Sequence, residues 1–168
     1  AVGIVEKVTC VATILGYTDD KIARIRHGFD DSVEQIAALN DEEATAPKPR
    51  VAIIMALRDG VPFAAGSDTS ADGVIAMAGA ENVFASFEGW KPVSLEVMIS
   101  SDPSFIVMPE RGMAMSGGRD SVLSHPSVRT TIAGQKGRLI AVDGMTLLGF
   151  GPRTLQAALD LQEKFDIP

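Results

Sequence analysis

Three stretches of this chain combine guanidinium groups, glycines and large apolar side chains: 58–67 (RDGVPFAAGS), 109–119 (PERGMAMSGGR) and 143–153 (DGMTLLGFGPR). Between them they hold Arg58, Arg111, Arg119 and Arg153, the rings of Phe63 and Phe150, and the thioethers of Met113 and Met115, with Met108 just before. Guanidinium forks pair with carboxylates, and thioether and aromatic surfaces suit a flat apolar body. The chemistry indicated is capture of a planar apolar ligand that carries carboxylates. Ordinary connecting loops are also rich in glycine and arginine, so composition alone leaves both readings standing.

The segment 149–153 (GFGPR) is the sharpest. Its glycines permit a tight turn, a helix opening at Pro152 offers unpaired N–H groups, and Arg153 adds a fork donor. It reads either as an anion site or as a plain strand-to-helix turn with Arg153 in solvent. Catalytic options are thin. His27 falls in a helical stretch and His125 precedes Pro126, and neither has a Ser, Cys or carboxylate at the spacing of a nucleophile system. There is no GxSxG elbow, no Walker loop and no HExxH. The residues point to no catalytic group and to no metal ligand set.

The elements that must position these stretches follow from periodicity. Ile4, Val8, Val11 and Leu15 fall at helical spacing before Gly16. A second helix opens at Thr18 with Asp19 and Asp20 in its first turn and carries the stripe Ile22, Ile25, Phe29, Val33, Ile36, Asn40. If unbroken at Gly28 it spans about 30 Å. Residues 41–50 (DEEATAPKPR) read as a linker. Two runs, 51–57 (VAIIMAL, continuously apolar) and 104–108 (SFIVM), read as buried strands, and 138–142 (RLIAV) reads as a third strand. Helices are expected from 68 or 69 to 78, from Ser94 to about 99, and from Pro152 to the end, with short helical turns at 120–123 and 130–133 and a short strand at 82–84. Strands alternating with helices predict a three-layer, Rossmann-like α/β lobe with a mainly parallel sheet, preceded by a helical arm. In such sheets ligands sit beyond the carboxyl ends of the strands, where the three stretches lie.

Composition bounds the rest. The 168 residues are 46% hydrophobic and 22% charged, which excludes a disordered chain. Fifteen basic against 22 acidic residues give a net charge of −7, which argues against nucleic acid as the partner. The single cysteine, Cys10, excludes an intramolecular disulfide. No stretch reaches the roughly 18 to 20 apolar residues of a membrane span, and no signal-peptide pattern opens the chain. A 40-residue amphipathic arm needs a surface to pack on, more than one lobe supplies. The chain is therefore expected to begin inside a larger protein, and an uncovered arm would drive self-association.

Four motifs in order then carry a resemblance: AAGSDTSAD at 64–72, AGAEN at 78–82, KPVSLE at 91–96 and GFGPRTLQAAL at 149–159. They resemble the C-terminal half of the periplasmic haem-binding proteins that feed ABC importers, within the wider cobalamin and siderophore binding-protein class. The last motif favours haem. The resemblance covers about 41–168, with 1–40 similar to the run into the interlobe helix. It implies two α/β lobes joined by that helix, here with the N-terminal lobe missing, and a periplasmic, non-enzymatic carrier that delivers haem to a membrane permease. Iron ligation by a tyrosine is implied for the missing lobe; Tyr17 does not match that position, and the loop that carries a histidine in some relatives reads Ala-Leu-Arg-Asp-Gly at 56–60. This lobe is expected to supply an apolar wall (Phe63, Met113, Met115, Phe150) and propionate partners (Arg58, Arg153). Glu96, which helix-dipole pairing alone would explain, becomes by resemblance the carboxylate that docks on permease arginines. The alternatives are a cobalamin or siderophore carrier of the same fold and, from another class, an α/β enzyme or a flavodoxin-like interaction domain.

Overall fold

Val51, Ala52, Ile53 and Ile54 are all fully buried, as an uninterrupted apolar strand requires: both faces of its sheet must be covered. A computed structural model describes residues 2–42 and 47–165. In it β1 (Arg50–Arg58) runs through a six-stranded sheet ordered β4 (Trp90–Pro92), β2 (Val61–Ala65), β1, β5 (Phe105–Pro109), β6 (Leu139–Val142), with β3 (Glu81–Asn82) also paired to β1. β3 and β5 lie parallel to β1, and β6 parallel to β5. β2 is antiparallel to β1, and β4 antiparallel to β2.

The sheet is thus mixed, which corrects the expectation of a mainly parallel one. The cause is local. Asp59 and Gly60 take φ of 49° and 76°, the paired left-handed conformation of a tight hairpin turn, so the stretch read as a loop folds straight back as β2. The β1–β2 register slips between Ile54 and Ala56, leaving Met55 as an extra residue on β1.

Alternation along the strands sorts the core onto two faces. Val51, Ile53, Phe105 and Val107 meet α3 (Ser70–Met77), α9 (Gly144–Leu148) and α10 (Pro152–Phe165) on one side. Ala52, Ile54, Ile106 and Met108 meet Met98 of α4 (Leu95–Ser101), Val122 of α6 (Arg119–Ser124), Val128 of α7 (Pro126–Arg129) and Ala133 of α8 (Ile132–Gln135) on the other. The remaining helix of the lobe, α5 (Glu110–Met115), follows β5 directly. At the outer border, the Arg119 guanidinium donates to the carbonyls of Leu139 (2.5 Å) and Gly137 (2.6 Å) beside β6.

The arm is a pair of helices, α1 (Val2–Ile14) and α2 (Asp19–Glu42), and α2 passes Gly28 unbroken. Ile4 and Ile36 are buried against the α3 and α10 side of the core, with Phe29 and Val33 half-buried beside them. Toward the hairpin end the expected stripe loses its cover: Leu15 is 68% exposed, and Val11, Ile14 and Tyr17 are exposed too. Of the linker at 41–50, residues 43–46 lie outside the described residues. Among the described residues, no helix is long and apolar enough to cross a membrane.

Candidate functional site

Because β1, β5 and β6 are parallel, their carboxyl ends share one edge of the sheet, and a groove of about 820 Å³ lies along it. β1 contributes Met55, Ala56, Leu57 and Arg58, the displaced Met55 among them. α5 contributes Arg111, Gly112 and Met115, and Asp143 with α9 contributes Met145 and Leu148. The lining is mainly apolar and includes the guanidinium groups of Arg58 and Arg111 and the carboxylates of Asp59 and Asp143.

Two devices hold α5 against β1. Gly112 packs so closely that a Cβ there would lie 1.8 Å from the Met55 carbonyl oxygen, so only glycine fits. One turn later, Ser116 Oγ accepts from the Leu57 N–H at 2.9 Å and donates to the Gly112 carbonyl at 2.7 Å. Met115, between these two fixings, is thereby set on the groove with 74% of its surface exposed. On the opposite side Asp143 caps α9: its Oδ1 accepts from the Thr146 N–H at 2.8 Å and from the Thr146 hydroxyl at 2.7 Å. Those two bonds, helped by the attraction of Arg153, hold the Asp143 carboxyl below the ordinary aspartate range. The first residues of α9 then present Met145, 78% exposed, at the groove.

Of the residues singled out from sequence, Arg58, Arg111 and Met115 line this groove. The Arg58 guanidinium stands 4.1 Å from the centre of the Phe63 ring. Phe63 itself stacks on Trp90 (6.2 Å, 20°) and sits behind Arg58 rather than on the groove. Arg153 lines an adjoining hollow of about 330 Å³, which shares Met145 and Gly149 with the main groove. Met113 points into the core on the α4 side. Phe150 has φ 47°, and this left-handed turn directs its ring into the opposite core against Gly73. Glu96 lies apart, exposed in the first turn of α4. Its own backbone N–H, and then the Ser94 hydroxyl, hold its carboxyl below the ordinary range, so it is ionised at neutral pH. Leu95, Val97 and Ile99 around it are all exposed.

Sequence reasoning missed Met145 and Leu148, and named Arg111 among the loop guanidinium groups without assigning it a ligand contact. Met145 and Leu148 stand on a helix that was read as loop; Asp143 three residues before Thr146 is the capping signal that could have revealed it. Tyr17 lies in the arm's turn, with Lys21 Nζ 5.4 Å from its ring. Among the described residues, no group of three or more His, Cys, Asp or Glu side chains is placed to hold a metal ion.

The profile of the periplasmic binding protein family matches residues 3–145. A search of curated proteins found no significant match. Among solved structures, the chain is similar to the apo form of a periplasmic heme-binding protein, RhuT, from Roseiflexus sp. RS-1, with 36% identity over 96% of this chain and a TM-score of 0.79. It is similar to the periplasmic heme-binding protein HutB of Vibrio cholerae, with 30% identity over 88% of the chain and a TM-score of 0.73. The periplasmic heme-binding protein BhuT, solved with two hemes, matches with 27% identity over 96% of the chain and a TM-score of 0.83. The chain spans 61% of the length of each of these three proteins.

Proposed function

This chain belongs to the periplasmic binding protein family, and on that premise we propose that it is the interlobe arm and C-terminal lobe of a two-lobed periplasmic haem carrier serving an ABC importer. Residues 1–40 form the arm in this reading and 41–168 the lobe. The observation that carries it is the groove at the carboxyl ends of β1, β5 and β6: a mainly apolar lining that includes the guanidinium groups of Arg58 and Arg111. A porphyrin is flat and apolar with two carboxylates on one edge, and a mainly apolar surface that includes guanidinium groups suits both halves of it. Haem is the cargo, held and passed on; no bond in it is made or broken. Iron ligation is assigned to the opposite lobe.

Arg58 and Met115 are the contacts we assign within the groove, and Arg153 supplies a further guanidinium from the adjoining hollow. Phe63 acts behind Arg58, and Phe150 and Met113 act as core supports of the two groove walls. Glu96, ionised and ringed by Leu95, Val97 and Ile99, is the docking carboxylate for arginines of the permease. The exposed end of the arm at Val11, Ile14, Leu15 and Tyr17 is a surface for the second lobe to cover, and in its absence a surface for self-association.

The test is titration with hemin, of this chain and of the longer protein that carries it, followed at the Soret band. A saturable shift is expected in both, tighter in the longer protein because a single lobe leaves half the ligand in water. An unmoved Soret band together with tight binding of a corrinoid would replace haem by cobalamin.

A further inference from the structure

The seven methionines of this chain differ sharply in burial. Met98 and Met108 are fully buried and Met77 is 7% exposed. Met55 and Met113 are half-buried. Met115 and Met145 are 74% and 78% exposed, and both stand on the same groove, brought there by α5 and α9 from opposite sides. A thioether is a large apolar group, and leaving two of them in water forgoes the burial that the other methionines obtain. Both are held where they are by fixed helices: Met115 by the Gly112 contact and the Ser116 bonds, Met145 by the Asp143 cap.

Thioether sulfur is oxidised by peroxide according to its exposure. The sulfur attacks one peroxide oxygen, the O–O bond breaks, and the second oxygen leaves as water; the sulfur is oxidised to sulfoxide and the peroxide reduced. The product is polar and needs hydrogen bonds that an apolar ligand cannot provide. We propose that Met115 and Met145 form a paired oxidation site on the groove, through which peroxide lowers the groove's affinity for flat apolar anions, and which a methionine sulfoxide reductase restores with a dithiol as reductant, the dithiol becoming a disulfide and the sulfoxide oxygen leaving as water. This inference rests on the proposed reading of the groove as the ligand face.

The experiment uses the chain itself, graded doses of hydrogen peroxide, and peptide mapping by mass spectrometry. Addition of one oxygen is expected at Met115 and Met145 before Met77, Met98 and Met108; simultaneous or reversed oxidation would overturn the assignment. Binding of the apolar anion 1-anilinonaphthalene-8-sulfonate then reads the groove. The oxidised chain should bind it about tenfold more weakly, from the cost of leaving a sulfoxide unsatisfied against an apolar surface. A Met115→Leu, Met145→Leu chain, whatever its starting affinity, should bind the probe equally before and after the same treatment, and reductase supplied with a dithiol should restore the wild type. An equal loss in wild type and double variant, or no loss in either, would overturn the coupling. Hemin titration of the untreated chain is scored separately: no saturable binding there refutes haem as the ligand, while the oxidation map and the probe measurements still decide the present inference.

Discussion

Replacing Gly112 by Ala should be among the most damaging single-methyl changes this lobe can suffer. The added carbon would sit 1.8 Å from the Met55 carbonyl oxygen and 3.0 Å from its carbon. Ordinary contacts need roughly 3.5 Å, so α5 must withdraw from β1 by about 1.7 Å. That displacement stretches the bond from the Leu57 N–H to Ser116 Oγ beyond hydrogen-bonding range, from its present 2.9 Å. Overpacking of this kind costs about 1–3 kcal/mol, and the lost bond about another 1. Against this stands the helix preference of Ala over Gly, worth about 0.8–1.0 kcal/mol. The net expectation is a loss of about 1–3 kcal/mol, or roughly 2–12 °C in Tm for a chain of this size. Urea unfolding followed by circular dichroism measures it. Gly28→Ala in α2, where nothing lies within 4 Å of the new carbon, is the matched control and should stabilise by up to about 1 kcal/mol. If Gly112→Ala behaves like Gly28→Ala, the close approach of α5 to β1 is wrong, and the groove geometry with it.

Arg58→Ala should weaken hemin binding by about tenfold or more, the usual worth of a charge-assisted hydrogen bond, in a fluorescence-quenching titration; unchanged affinity removes Arg58 from the ligand face. Glu96→Ala should leave hemin affinity untouched while uptake through the importer falls, and a parallel loss of both would make Glu96 a structural residue. For Asp143 the carboxyl is held low in the folded chain, so its cap on α9 contributes above the unfolded-state pKa and is lost as pH falls through the folded value. The Thr146 amide resonance should therefore titrate with a midpoint below the ordinary aspartate range; a midpoint at or above that range contradicts the cap.

The parts of the fold that the sequence announced are those in which one physical demand dominates. Val51 to Ile54 and Phe105 to Met108 are buried on both faces and had to be continuous apolar runs. β2 was hidden because Pro62 and two alanines disguise it, although the Asp59-Gly60 pair is a hairpin signal in its own right. With β2 unseen, the antiparallel side of the sheet could not be foreseen either. α5 escaped because Gly112 reads as a loop residue, whereas the structure uses it for contact with the Met55 carbonyl. The groove suffered from the same confusion. Arg58 and Met115 could be named from residue type and position, but residue type cannot say which way a ring turns. Phe150 and Met113 have the same chemistry as groove residues and are claimed by the two cores instead.

The two borders of the sheet bear on how such a chain behaves in crowded company. An outermost strand with idle carbonyls is an invitation to any extended peptide, including an unfolded copy of the same protein. Here the guanidinium of Arg119 already occupies the carbonyl of Leu139 at one border, and the other border is three residues long and finishes in Pro92. Growth by strand addition is discouraged at both of these borders, so the sheet offers an extended peptide little to pair with.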